Sequence, residues 1–170
     1  EVVGGIRAEG GNAELCLGDI STCEGNEALV QKATEAFGGV DILVPNAGSL
    51  GLGSVTEVPL ETWRETIATN LDAVFFLARI GIPEMQKRGG GSIVVNGSIA
   101  AFHCFPNHPA YCASKGAVTN LTRAMALDHA AEGIRVNAVC PGAVDTRMLY
   151  SEGSGTVDEV RDRNLPDIPE

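Results

Sequence analysis

Four short apolar runs punctuate this chain, at residues 12–19 (NAELCLGD), 40–48 (VDILVPNAG), 89–98 (GGGSIVVNGS) and 134–142 (IRVNAVCPG), and a helix-length segment separates each from the next. The runs are continuous rather than alternating. That predicts strands buried on both faces, the pattern of a parallel sheet held between helical layers. Parallel strands need long crossovers, and the intervening segments supply them. EGNEALVQKATEAFGG sets Leu29, Val30, Ala33 and Phe37 at helical spacing and stops at Gly38-Gly39. From about Glu61 into the eighties, Trp63, Ile67, Leu71, Val74, Phe75 and Ala78 form one stripe. HPAYCASKGAVTNLTRAMALDHAAEG reads as another long helix. This alternation of strands and helices predicts the α/β class, a doubly wound parallel sheet in three α/β/α layers.

The 170 residues suit a single domain. Hydrophobic residues make up 44% and charged ones 20%, so a folded chain is expected. A net charge of −10 argues against a nucleic-acid surface or a basic membrane patch. No apolar run approaches the roughly 18 residues a membrane span needs, and the chain opens without a signal-peptide pattern. Cys16, Cys23, Cys104, Cys112 and Cys140 are odd in number and include no CxxC, which suggests free thiols in a reducing cytoplasm and no metal site. His103, Cys104, His108 and Cys112 gather after Ser98 without a standard ligand spacing and read as the lining of a substrate pocket. The Asn96-Gly97-Ser98 and Asn120-Leu121-Thr122 glycosylation patterns read as accidental.

In sheets of this class, ligands bind beyond the carboxyl ends of the strands. Those ends carry Asp19-Ile20, Asn46-Ala47-Gly48, Ser98 and Pro141-Gly142, all expected along one rim. Taken singly, each has a plain reading as a turn residue or a helix cap. On the helix after Ser98, Tyr111 and Lys115 share a face one turn apart. A phenol titrates near pH 10, too high for proton transfer at neutral pH. A neighbouring ammonium favours the phenolate and lowers that pKa, and the helix N-terminus adds a smaller push in the same direction. The pair therefore suits a proton donor and acceptor for a carbonyl or alcohol. Ser98 would hold the reacting oxygen, and Ala113 and Ala117 leave room for close approach.

Together, DILVPNAG, TNLDAVFF, GSIVVNGSIAA, AYCASKGAV and IRVNAVCPGAVDTRM resemble the classical short-chain dehydrogenases/reductases, in order and at the family's intervals. The resemblance implies a Rossmann-type fold that binds NAD or NADP and an oxidoreductase that moves a hydride between the nicotinamide and a carbonyl or secondary alcohol. By the same resemblance, Tyr111 is the catalytic acid/base and Ser98 orients the substrate oxygen. Lys115 lowers the phenol pKa and holds the nicotinamide ribose, while Asn70 binds a water that links Lys115 to solvent. The 13-residue gap from Ser98 to Tyr111 matches the family's and selects Ser98 over Ser92. Asp19 and Ile20 match the adenine contact, and Asn46, Ala47 and Gly48 match the cofactor ribose segment. Pro141, Gly142, Val144 and Thr146 match the nicotinamide end, with Val144 bonding the carboxamide through its backbone. The resemblance also implies a small-molecule substrate and a homodimer or homotetramer built through the two long helices.

Several positions depart from the family pattern. Pro45 stands where an Asn is usual, and VNGS replaces the commoner NISS, which leaves Gly97 before Ser98. No glycine-rich phosphate turn follows a first strand, and the residue that selects NAD or NADP is not found. The loop SLGLGS is no substitute, because it lacks the full GxGxxG spacing. The family's last strand and part of its substrate lid are not found either. The expectation is a single partial domain over residues 1–170, lacking the first βαβ unit, with the sheet's central slot open and dinucleotide binding weak or absent in this chain alone. The rival reading is a catalytically incompetent fragment that acts, if at all, as an oligomerisation partner.

Overall fold

The structure, a computed structural model, describes residues 1–144 together with Thr146 and Met148. Three parallel strands, β1 (Ile42–Leu43), β2 (Gly91–Asn96) and β3 (Ile134–Val139), lie side by side in that order. Ile42 sits beside Ser92, and Ile93 beside Val136. The short β1 is extended by backbone bonds on either side, from the Ser92 N–H to the Asp41 carbonyl and from the Asn96 N–H to the Pro45 carbonyl, both 3.0 Å. Pro45 thus keeps its place at the strand end through its carbonyl alone.

Among the described residues, the sheet is accompanied by α1 (Val2–Ala8), α2 (Cys23–Phe37), α3 (Leu60–Ile67), α4 (Ala73–Lys87) and α5 (Pro109–His129). Helix α2 starts where Thr22 Oγ1 accepts from the Gly25 N–H at 3.1 Å and ends at Gly38, in the left-handed region at φ 80°. A π-helical turn at Ala68–Asp72 joins α3 to α4. Pro109 opens α5 at its first turn, where a missing N–H costs nothing.

Right-handed crossovers that all step the same way across a sheet put their helices on one face. The strands step from β1 to β2 to β3, so α4 and α5 share a face, and α2 packs beside α4. Leu43, Ile93, Val95, Ile134 and Val136 point into that layer, where they meet Val74, Leu77, Ile82, Met85, Val118 and Met125. The opposite sheet face carries Ile42, Val44 and Val139, which are 64%, 59% and 56% exposed. The doubly wound parallel α/β fold expected from the sequence is present. Among the described residues, however, it shows the sheet and one helical layer rather than burial on both faces.

Two finer expectations are corrected. Residues 12–19 do not form a strand. Leu15 and Leu17 are 62% and 85% exposed, and none of the three strands pairs with this segment. A strand is stabilised by its ladder, and an apolar run with no neighbour has none. The helical stripe is also displaced. Phe75 is 45% exposed and Trp63 37%, whereas the buried line runs Thr66, Asn70, Val74, Ala78 and Ile82. Its first two members are polar, so an apolar pattern passes over them.

Candidate active site

Ser98 lies just past β2, with extended backbone at φ −171° and ψ 154°. Its Oγ accepts from the Ala100 N–H at 3.1 Å, which fixes the side chain at the head of a short 3₁₀ turn. The chain returns through residues 102–108 into α5, whose first turn carries Tyr111. The Ser98 side chain lies near enough to the Tyr111 phenol to influence its titration. One turn further on, Lys115 is 4% exposed. Its Nζ donates to the Asn96 carbonyl at 2.7 Å and lies 5.7 Å from the centre of the Tyr111 ring. Ser98, Tyr111 and Lys115, each singled out from the sequence, are brought together.

Their electrostatics differ from the sequence expectation. Burial pushes the Tyr111 phenol above its ordinary value, and the neighbouring Ser98 side chain draws it part of the way back. Burial likewise pulls the Lys115 ammonium down, against an opposing push from Cys140. The expectation was a phenol lowered by its neighbour. Here the ammonium is directed at the Asn96 carbonyl, and desolvation of the phenol outweighs it.

Asn70 sits in the π-helical turn and is 1% exposed. Its Oδ1 accepts from the Ser49 N–H at 2.8 Å, and its Nδ2 donates to the Ser49 carbonyl and to Ser114 Oγ, both at 2.9 Å. Ser114 Oγ in turn donates to the Tyr111 carbonyl at 2.8 Å. Asn70 therefore ties the segment after β1 to α5. Gly48 completes the junction: a Cβ there would lie 3.4 Å from Asn70 Oδ1 and 3.8 Å from Lys115 Nζ.

The remaining rim residues are open to solvent. Asn46, Ala47, Gly142, Val144 and Thr146 are all exposed. Asn46 Oδ1 accepts from Asn96 Nδ2 at 2.8 Å. The Pro141 carbonyl accepts from the Ile99 N–H at 3.1 Å, which joins the end of β3 to Ser98's turn. The Val144 carbonyl accepts from Thr146 Oγ1 at 3.3 Å. Asp19 and Ile20 serve the turn into α2. The Asp19 carboxylate accepts from the Ser21 N–H and hydroxyl, which hold it below the usual carboxylate range, and the Ile20 carbonyl accepts from buried Asn26. Among the described residues, no hydrogen bond links these two to Ser98, Tyr111 or Lys115.

Three contributors escaped the sequence reading. They are Ser114, Asn96, whose carbonyl holds Lys115, and Cys140, whose Sγ would lie 2.9 Å from a Cβ at position 97. Ser114 could have been found from its place one residue before Lys115. Among the described residues, no cluster of three or more His, Cys, Asp or Glu side chains could hold a metal ion.

A serine, a tyrosine and a lysine thus gather at the carboxyl rim of a parallel sheet, where ligands of this fold class bind. The comparisons narrow that class. The model of the short chain dehydrogenase family matches residues 1–156, and the chain belongs to that family. It is 38% identical over 168 residues to 2-(S)-hydroxypropyl-CoM dehydrogenase 3 of Xanthobacter autotrophicus, covering 98% of this chain and 64% of that protein. A 7α-hydroxysteroid dehydrogenase solved with NADH and 7-oxo glycochenodeoxycholic acid superposes with a TM-score of 0.84 at 39% identity, over 88% of this chain and 58% of that one. A gluconate 5-dehydrogenase from Burkholderia cenocepacia, solved with NADP and tartrate, gives 0.84 at 30% identity, over 88% and 59%. The chain thus spans about three-fifths of the length of these relatives.

Proposed function

We propose that the chain carries the proton-transfer half of an NAD(P)-dependent oxidoreductase acting on a small carbonyl or secondary alcohol. The observation behind this reading is the gathering of buried Ser98 and Lys115 around the Tyr111 phenol, with Lys115 Nζ 5.7 Å from the ring centre. Ser98 would hold the substrate oxygen beside the Tyr111 hydroxyl. Tyr111 would donate its proton as a carbonyl is reduced and take it back as an alcohol is oxidised. Lys115 would supply positive charge behind the phenol, and Asn70 would keep the β1 end and α5 in register around it.

The residues fit a nicotinamide cofactor at one end. Asn46, Ala47, Gly142, Val144 and Thr146 form an exposed rim beside the buried Lys115, and Gly48 is a close approach that a side chain would fill. Lys115, Asn46, Ala47 and Gly48 would hold the ribose. Pro141, Gly142, Val144 and Thr146 would hold the nicotinamide end, and Asp19 and Ile20 the adenine. A bound NAD or NADP exchanges the hydride. The relatives named above are dehydrogenases of 2-(S)-hydroxypropyl-CoM, a 7α-hydroxysteroid and gluconate, and an alcohol oxidised to a carbonyl is the element we take from them. The setting we propose is cytoplasmic, in a homodimer or homotetramer built through α4 and α5, which leave Phe75 and Leu127 exposed.

A second reading is a chain without turnover of its own that pairs with other subunits. The bare sheet face at Ile42, Val44 and Val139 favours it. Titration with NADH and NADPH, followed by fluorescence and melting temperature and paired with turnover assays on secondary alcohols and Tyr111→Phe, decides between the two. Binding of one cofactor with turnover lost in Tyr111→Phe supports the first reading. Absence of both binding and turnover leaves the second.

A further inference from the structure

Asn96-Gly97 is the single Asn-Gly step in the sequence, and it lies at the centre of the site. A Cβ at position 97 would sit 2.9 Å from Cys140 Sγ and 3.1 Å from the Val139 carbonyl oxygen, so glycine is imposed there by packing. Asparagine before glycine is the step most open to attack by the next backbone nitrogen on the side-chain amide, because no Cβ shields that nitrogen. Three hydrogen bonds oppose the attack. Asn96 Nδ2 donates to Asn46 Oδ1 at 2.8 Å, and the Gly97 N–H donates to the Val139 carbonyl at 2.7 Å and to the Val95 carbonyl at 3.1 Å.

We propose that Asn96 is a self-modification site, gated by the Asn46 side chain, whose deamidation rebuilds the Lys115 end of the active site. In this reaction the Gly97 nitrogen bonds to Asn96 Cγ. The Cγ–Nδ2 bond breaks, and ammonia leaves with the proton given up by the Gly97 nitrogen. Water then opens the cyclic imide. Opening at the original α-carbonyl carbon routes the main chain through Cγ and leaves that α-carbonyl as a free carboxylate. The group that accepts from Lys115 Nζ at 2.7 Å changes from a neutral carbonyl to an anion. The extra backbone atom also shifts the β2–β3 register, in which Asn96 lies beside Val139. Opening at Cγ instead gives an aspartate facing Asn46. Asn96 is half-exposed, so water reaches it.

The test needs no catalytic turnover. The whole chain is aged in mildly alkaline buffer, folded and in concentrated urea, and conversion at residue 96 is followed by peptide mapping and mass spectrometry. We expect the folded chain to convert at least about tenfold more slowly than the unfolded chain, because attack requires local opening. Asn46→Ala should speed the folded reaction about fivefold, the factor set by losing one neutral hydrogen bond. Asn46→Asp, which keeps an acceptor for Asn96 Nδ2, should stay slow, and it carries the test if circular dichroism shows that Asn46→Ala unfolds. Folded and unfolded chains converting at the same rate would overturn the proposal. So would a fast Asn46→Asp, or a folded Asn46→Ala no faster than the natural chain.

Discussion

Tyr111 is half-buried, and burial outweighs the opposing pull of Ser98, so the fold favours the neutral phenol. Its folded pKa lies above the unfolded value near 10. The stability it contributes is therefore fully present below about pH 10 and is lost as pH rises through the folded value. Lys115 has the opposite sign. Burial lowers its pKa, so the folded chain binds its proton less firmly than the unfolded chain does, and stability rises with pH between the lowered value and about 10.4. Melting curves across alkaline pH should separate the two. Tyr111→Phe should flatten the fall above about pH 10, and Lys115→Met should flatten the rise just below it. At neutral pH Lys115→Met should melt about 2 °C higher, because it removes a buried charge that has no carboxylate partner among the described residues. An equal or lower melting temperature would show that the Asn96 carbonyl repays the desolvation of the ammonium. On the proposed function, Tyr111→Phe should cut turnover by about 10² to 10⁴, the usual worth of a positioned acid–base group, and leave cofactor affinity nearly unchanged.

Asn70 shows what elements add to single residues. Its amide satisfies both backbone groups of Ser49 and also reaches Ser114. Asn70→Ala would leave buried donors and acceptors open on two elements and should cost roughly 3 kcal/mol of stability, read from urea melts. Gly25→Ala is a sharper case. Alanine in place of glycine inside a helix usually gains about 0.5–1 kcal/mol, but a Cβ at Gly25 would overlap the Asp19 carbonyl oxygen. The net effect should be a loss of about 1–3 kcal/mol, and a gain would mean that the 19–22 turn yields. These positions also mark what the sequence could convey. The runs at Ile93–Val95 and Ile134–Val136 and the helix around Val118 announce themselves by hydrophobicity. The Ser98, Tyr111, Lys115 set is legible through the resemblance of five separated segments to one family, because a tyrosine and a lysine one turn apart are by themselves common on helices. Asn70 stays hidden because its burial rests on hydrogen bonds to partners at positions 49 and 114, far away in sequence. The segment at 12–19 reads as a strand because hydrophobicity is local, whereas pairing depends on a neighbour. The raised Tyr111 pKa was likewise out of reach, since its depth comes from packing of the 98–108 region against α5.

Among the described residues, one sheet face is packed, and the other leaves Ile42, Val44 and Val139 exposed. Strands that alternate between a helical layer and solvent normally carry polar residues outward, but here Ile42, Val44 and Val139 occupy outward positions. An exposed apolar sheet surface beside a strand with one unpaired edge is a site of association. The described chain also offers a second apolar surface, on α4 and α5 at Phe75 and Leu127, which the proposed dimer would use. Sedimentation velocity over a concentration series can separate the two. We expect concentration-dependent association beyond a dimer in the natural chain. Replacing Ile42, Val44 and Val139 together by threonine keeps β-branched side chains and strand propensity while making the outward face more polar. That variant should collapse the larger species to a dimer with unchanged circular dichroism, and adding Phe75→Ser and Leu127→Ser should take the dimer to monomer. A threonine variant that still forms the larger species would mean that the helical surface carries all of the association, and the bare face would then lose its standing as a contact surface.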